Sequence, residues 1–266
     1  FIMSQKVEYI VAIPSRYAST RLAAKPLAIV DGKPMIVKVC EKALESSAKY
    51  VMACIDHEEV AKALEPLAQA NERLRICMTS QKPRSGTERI AEMIANEHID
   101  MDTIVVNVQG DEPLITKDHI DEVAALLASS GASMSTLCSE IHNINDVFDP
   151  NCVKCVMDMN NFALYFSRTP IPYERDNFAL GKENVSELKF KHYHHIGIYG
   201  YKAGTILDYL SKEPADIEVA ESLEQLRLLH YGMKIAVATT DNPPEIGVDT
   251  IADLERVNRI FAQGKA

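Results

Sequence analysis

The stretch from Pro14 to Leu27 gathers three cations, Arg16, Arg21 and Lys25, with the hydroxyls of Ser15, Ser19 and Thr20. Guanidinium forks match phosphate oxygens in pairs, an ammonium adds a point charge, and turn N–H groups add donors, so the segment suits a polyphosphate. The same residues also fit a solvated basic turn, and the GxxxxGK[ST] spacing of a Walker loop is missing. A second segment, Asn107-Val108-Gln109-Gly110-Asp111-Glu112-Pro113, ends a β-branched run with a carboxylate. Such an Asp is a common Mg²⁺ ligand beside substrate phosphates, although Gly-Asp and Glu-Pro are also plain turn chemistry. A third, Gly247-Val248-Asp249-Thr250, reads on its own as a helix N-cap or turn at Asp249. Taken together, Asp111 and Asp249 could hold one or two Mg²⁺ ions over a triphosphate.

Alternating strands and helices must position these segments. Tyr9 to Ile13 is a short apolar run ahead of Pro14 and predicts a buried strand, which puts the cationic loop at its carboxyl end. Strands are predicted at Tyr50 to Ile55, Leu74 to Met78 and Thr103 to Val108. Helices are predicted at Met35 to Ala43, His57 to Ala70, Thr87 to Asn96 and Lys117 to Ala128. This alternation implies an α/β fold with a mostly parallel sheet covered on both faces. From about Asn143 the pattern changes. Prolines interrupt it, and strands at Val153 to Met157, Ala163 to Ser167 and Ile196 to Tyr201 follow without intervening helices, predicting a smaller mixed lobe. Asp176 to Lys191 reads as a polar loop, and helical spacing returns at Ile217 to Tyr231 and Ile251 to Phe261. The expected division is a core of residues 1–142 and 232–266 with a lobe of residues 143–231.

Composition sets bounds on partners. The 266 residues are 47% hydrophobic and 25% charged, ordinary usage for a folded chain. Lys and Arg total 28 against 38 acidic residues, a net charge of −10, which excludes a broad nucleic-acid tracking surface but not one basic pocket. No apolar run reaches the roughly 18 residues that would span a bilayer. Phe1-Ile2-Met3 is too short for a signal peptide, and Phe1-Ile2 reads as a cloning remnant. The scattered Cys40, Cys54, Cys77, Cys138, Cys152 and Cys155 suit reduced, buried thiols, so a cytoplasmic location is expected. The CxxC of Cys152 and Cys155 would point its thiols to opposite faces of a strand, and no second pair completes a zinc site. His192, His194 and His195 resemble a metal cluster, but alternation separates His194 from His195. His192 and His194 are therefore expected at the surface.

Seven blocks in order carry a resemblance: IPSRYASTRLAAKPL, SGTERIAE (Ser85 to Glu92), VNVQGDEP, YFSR (Tyr165 to Arg168), HIGIYGY (His195 to Tyr201), ESLEQLR (Glu221 to Arg227) and GVDT. They are similar to the 3-deoxy-manno-octulosonate cytidylyltransferases, or CMP-Kdo synthetases, over nearly the whole chain. The first and third blocks are shared by sugar nucleotidyltransferases, and YFSR, HIGIYGY and ESLEQLR narrow the match. The resemblance implies a Rossmann-like nucleotidyltransferase sheet with a smaller mixed α/β dimerisation lobe. It implies transfer of CMP from CTP to Kdo with release of pyrophosphate, for lipopolysaccharide synthesis, with Mg²⁺ as cofactor.

By the same likeness, Arg16, Arg21 and Lys25 hold the triphosphate and act in catalysis with Asp111 and Asp249, the Mg²⁺ ligands. Ser85 and Gly86, with the backbone near Pro14, form the cytosine pocket. Gln109 joins the CTP and Kdo sites, and Arg168, His195, Tyr199, Glu221, Glu224 and Gln225 line the sugar site. Arg168 is suited to take the Kdo carboxylate bidentately. On one helix Glu221 and Gln225 would be i and i+4 and share a face, although spacing alone favours a solvated face for Glu221 and Glu224. The implied chemistry is in-line attack of the Kdo anomeric hydroxyl on the α-phosphate, with one Mg²⁺ neutralising phosphates and a second lowering the pKa of that hydroxyl. A homodimer is implied, joined through the lobe around Ile196 to Tyr201. The family usually has Pro-Ala-Arg and Arg-Leu-Pro where this chain has Pro14-Ser15-Arg16 and Arg21-Leu22-Ala23. Losing that proline frees a φ angle in the loop, and no cation is lost. The alternatives are a cytidylyltransferase for amino-Kdo or sialic acid, and a catalytically silent CTP-binding protein.

Overall fold

The computed structural model describes residues 7–179, 181–245 and 247–264, so the expectation for Phe1 to Met3 lies outside the described residues. In chain order the strands are β1 (Tyr9–Ser15), β2 (Ile29–Val30), β3 (Lys33–Pro34), β4 (Tyr50–Ile55), β5 (Leu74–Met78), β6 (Ile104–Asn107), β7 (Met134–Glu140), β8 (Lys154–Met157), β9 (Ala163–Ser167), β10 (Tyr193–Lys202) and β11 (Ile235–Thr239). The helices are α1 (Met35–Leu44), α2 (Glu58–Ala70), α3 (Gly86–Asn96), α4 (Lys117–Ser130), α5 (Ile144–Phe148), α6 (Arg175–Phe178), α7 (Ala203–Ser211), α8 (Asp216–Glu221), α9 (Gln225–His230) and α10 (Ile251–Ala262).

The main sheet runs β11-β7-β10-β6-β1-β4-β5, and β10 alone opposes the common direction of the others. It is thus a mostly parallel α/β sheet. Period-two alternation divides its side chains between two cores. Tyr9, Val11 and Ile13 of β1 face α1, α2, α4 and α10. Ile10 and Ala12 face α3, α7 and the α8–α9 corner. Burying each large aliphatic side chain contributes about 1.5–3 kcal/mol, which fixes the register of the central strands. The parallel direction brings the carboxyl ends of β1, β4, β5 and β6 to one edge, where α/β sheets bind ligands.

Several elements differ from expectation. The β10 strand starts at Tyr193 and lies between β6 and β7. Its first residues run past the end of β6 and pair with β8, so the β8–β9 hairpin hangs over the ligand edge. Ile196 to Tyr201 therefore sits mid-sheet, with Ile196, Ile198 and Tyr201 buried. The helix expected over Ile217 to Tyr231 is broken. Ser222 has φ 52° and ends α8, and α9 starts only at Gln225. Asp176 to Lys191 is not all loop, because α6 ends within it and a 3-10 turn follows at Lys182–Asn184. β7, β11 and α7 were not anticipated, since Met134–Glu140 mixes polar and apolar residues that are buried on both faces.

Five cysteines are buried and Cys152 is half-buried just before β8, all unbridged. Burial pushes the thiols of Cys40, Cys54, Cys77, Cys138 and Cys152 up, Cys77 to about 12 and Cys152 to about 11, away from reactive thiolate. Among the described residues no helix is long and apolar enough to cross a membrane.

Candidate active site

The cationic loop leaves β1 at Ser15 and closes with a 3-10 turn at Lys25–Leu27, entered through Ala24 at φ 46°. Lys25 is carried inward, and its Nζ lies 2.5 Å from Asp111 Oδ2 and 2.8 Å from Asp249 Oδ1. Burial pulls this ammonium down, but the Asp111 charge and then Asp249 outweigh it and hold the pKa above its ordinary value. Arg21 Nη2 reaches the same Asp249 oxygen at 3.0 Å, and Arg16 stands exposed at the rim. Asp249 is not the cap of α10, as its position in the chain suggested. Thr250 is the N-cap and Asp253 completes a capping box with it, which leaves the Asp249 carboxylate free for the site.

These groups line a cavity of about 340 Å³ with Pro14, Ser85, Gly86 and Gln109. Ser85 caps α3 by accepting from the Glu88 N–H at 3.2 Å, so the positive end of the helix opens into the cavity. Two glycines keep it narrow. A Cβ on Gly86 would meet Pro14 Cγ at 3.1 Å, and one on Gly110 would meet Ser15 Cβ at 2.9 Å.

A second cavity, of about 290 Å³, adjoins the first, and Gly86 and Gln109 line both. Its wall takes Tyr199 and Tyr201 from β10, Tyr209 from α7, and Glu224 and Gln225 from the α8–α9 corner. Thr87 donates to Glu224 at 3.0 Å, and Asn107 links Gln109 (3.3 Å) to the Tyr201 hydroxyl (2.9 Å). A larger open groove of about 1170 Å³ lies over residues 140–145 and 182–191. Arg16, Arg21, Lys25, Asp111 and Asp249 line the first cavity and not this groove, so it is not the centre of chemistry.

The remaining sequence candidates are nearby but turned inward. Arg168 spends its guanidinium on the carbonyl oxygens of Glu221 (2.6 Å), Pro150 (2.9 Å) and Ser222 (3.4 Å), so it is not open to a bidentate carboxylate in this conformation. Glu221 accepts from Ser167 Oγ (2.6 Å) and the Arg168 N–H (2.9 Å). It shares no helical face with Gln225, because the chain breaks at Ser222. His195 is buried behind the second cavity, between Thr136 (3.0 Å) and Gln225 (3.4 Å), and burial pushes its pKa down to about 3. A bulge between Ile196 and Tyr199 puts it there, with the Thr136 hydroxyl 2.7 Å from the Ile198 carbonyl. His192 is fully buried against Glu174 at 3.0 Å, not at the surface, and His194 is partly buried.

Sequence reasoning missed Arg89, which lines the first cavity, and the Thr87, Asn107, Tyr201 and Tyr209 wall of the second. SGTERIAE and HIGIYGY contained most of them, but helical and strand spacing did not distinguish cavity wall from core. It also missed Glu112, whose carboxyl burial and the neighbouring Asp111 charge push up to about 8.

A family described as cytidylyltransferase matches residues 10–235 of this chain. Among solved structures, the chain is similar to a CMP:2-keto-3-deoxy-manno-octonic acid synthetase complexed with CTP. The two are 34% identical over 97% of this chain and 99% of the other, with a TM-score of 0.84.

Proposed function

We propose, for a chain that belongs to the cytidylyltransferase family, that it transfers CMP from CTP to 3-deoxy-D-manno-octulosonate, giving CMP-Kdo and pyrophosphate. The observation that supports this reading is the junction of two cavities at Gly86 and Gln109, one cationic and one lined by hydroxyl, amide and carboxylate groups. CTP fits the first, with its base against Pro14, Ser85 and Gly86 and its phosphates toward Arg16, Arg21 and Lys25. A polyhydroxylated sugar acid fits the second, meeting Gln109, Tyr199, Glu224 and Gln225. Arg168 would reach the sugar carboxylate only after releasing its backbone carbonyls, and Glu221 and His195 act from behind the wall.

The residues also fit Mg²⁺. A positive charge already stands between Asp111 and Asp249 in the form of Lys25. Among the described residues no three His, Cys, Asp or Glu groups form a cage, which suits an ion that takes few carboxylates and shares phosphates and water. When bound, Mg²⁺ would neutralise phosphate charge and make the attacking hydroxyl more acidic.

The protein's own part is positioning and charge. Gln109 and the second cavity orient the anomeric hydroxyl toward the α-phosphorus. Arg16, Arg21 and Lys25 balance the charge that builds on the departing pyrophosphate as the bond to it breaks. No covalent enzyme intermediate is required. We place the protein in the cytoplasm, as a homodimer in which residues 143–231 contribute sugar contacts and the subunit interface.

Pyrophosphate release from CTP and Mg²⁺ with a panel of 2-keto sugar acids tests the reading. Turnover fastest with Kdo supports it. Preference for amino-Kdo or sialic acid would reassign the acceptor, and CTP binding without any release would leave a silent nucleotide-binding protein.

A further inference from the structure

We propose that Asp56, held by Arg89, is a positioning residue that fixes the triphosphate loop through the backbone N–H of Tyr17. The proposal rests on the CTP reading above and extends it to a residue outside the cationic loop. The Asp56 carboxylate divides its oxygens between two halves of the site. Oδ1 accepts from the Tyr17 N–H at 2.8 Å, and Oδ2 receives the Arg89 guanidinium at 3.0 Å. Both side chains are closed to solvent, Asp56 at 7% and Arg89 at 4% exposure.

A buried ion pair is by itself weak evidence for stability, because desolvation offsets its attraction. Its connections here point to placement. Arg89 belongs to α3, whose first turn borders the nucleotide cavity, and its Nη1 also donates to Thr79 Oγ1 (2.5 Å) and the Ser80 carbonyl (3.1 Å). Glu92, one turn further along α3, grips Ser80 through its N–H (2.6 Å) and hydroxyl (2.9 Å). The ends of β4 and β5 and the start of α3 thus form one block, and Asp56 is where that block takes hold of the loop.

Between Tyr17 and the contacts of Arg21 and Lys25 with Asp249 and Asp111, the loop is loosely attached. Arg16, Ala18, Thr20 and Arg21 are exposed, and Leu22 N–H turns back on Ser19 within the loop. Tyr17 is held a second time from the same side, its ring stacked on His57 at 3.8 Å and its hydroxyl 3.1 Å from Glu59. Anchoring one residue between Ser15 and Lys25 restricts the freedom of the cations on either side. This reduces the ordering that phosphate binding would otherwise require.

Titration calorimetry of CTP, inorganic tripolyphosphate and cytidine, each with Mg²⁺, tests the proposal. Asp56→Ala is expected to weaken CTP and tripolyphosphate about tenfold or more, the scale of one lost charge-assisted hydrogen bond. Cytidine should change less than about twofold. Asp56→Asn keeps an oxygen for Tyr17 and should recover most of the loss. Unchanged tripolyphosphate affinity, equal weakening of cytidine, or no recovery in Asp56→Asn would overturn the role. Should Asp56→Ala fail to fold, His57→Ser carries the test, since the serine hydroxyl replaces the Nδ1 that accepts from the Glu59 N–H at the start of α2 and the ring beneath Tyr17 is removed. There, tripolyphosphate binding is expected to weaken about threefold, and no change would overturn the proposal. Wild-type protein that binds no CTP would remove the CTP reading and this role together, whereas normal wild-type binding with insensitive variants would remove this role alone.

Discussion

Asp111 and Asp249 come from distant parts of the chain and would repel each other if bare, yet both rest on the Lys25 ammonium at 2.5 and 2.8 Å. The contact makes a clear mutational expectation. Asp111→Asn and Asp249→Asn should each lower turnover by about two to three orders of magnitude, the usual cost of losing one preorganised electrostatic group. Far-UV circular dichroism should stay unchanged, because neither carboxylate supports the core. Full activity of either variant at saturating Mg²⁺ would sink the two-carboxylate scheme. His195 yields a different expectation. Its folded pKa of about 3 lies below the ordinary 6.5 because burial disfavours the charged ring. The unfolded chain therefore takes up a proton that the folded one refuses, and stability falls as pH drops from about 6.5 toward 3. Urea titrations at pH 7 and pH 5 should differ by about 2 kcal/mol from this group, at about 1.4 kcal/mol per unit. His195→Gln should remove most of that difference. Residue type and spacing singled out Arg16, Arg21, Lys25, Asp111 and Asp249 as candidates, which the structure brings to one cavity, but did not indicate that Arg168 is engaged by carbonyls or that His192 is buried against Glu174.

Among the elements, the ends of β1 and β6 must approach closely for the loop and the Gln109–Asp111 turn to share a cavity. Gly110 permits this, since an added Cβ would lie 2.9 Å from Ser15 Cβ and 3.0 Å from the Pro14 carbonyl oxygen. Gly110→Ala should destabilise the fold by about 1–3 kcal/mol, as overpacking does, and raise the KM for CTP. Thermal melts and initial rates check both, and an unperturbed melting temperature would show that the turn has slack. The α8–α9 corner was the least legible part of the chain. Periodicity joined Ile217 to Tyr231 into one helix, but Ser222 takes a left-handed backbone. Arg227 bridges Glu218 across the break at 2.7 and 2.8 Å. Ser222→Gly should therefore be neutral or stabilise by up to about 1 kcal/mol, with activity kept, because glycine adopts that conformation without strain. A lower melting temperature would contradict this. Helical spacing cannot reveal such a corner, since Arg168, which holds the Glu221 and Ser222 carbonyls, and Thr87, which holds Glu224, come from outside the periodic run.

For the whole molecule, the reversed strand is the decisive feature. β10 sits inside the main sheet and extends beyond it, so the strands of residues 143–231 continue the sheet rather than form one of their own. The stretch Ile196 to Tyr201, expected to join a homodimer, is paired on both edges within the sheet. Sedimentation should give a mass near twice 29.6 kDa, and a monomer at assay concentrations would remove the homodimer. The acidic balance of −10 coexists with one compact cationic loop, consistent with a single small polyanion as ligand.

Local chemistry was carried by the sequence alone. Alternating periods implied the α/β layers, and the spacing of Arg16, Arg21 and Lys25 after an apolar strand implied an anion site, because both depend on neighbours along the chain. The tertiary structure decided which distant groups meet. It put Asp249 on Lys25, Asp56 under Tyr17, and β10 between β6 and β7. Those contacts depend on strand order and helix docking, which arise from burial summed over the whole chain and leave no short-range periodic signature.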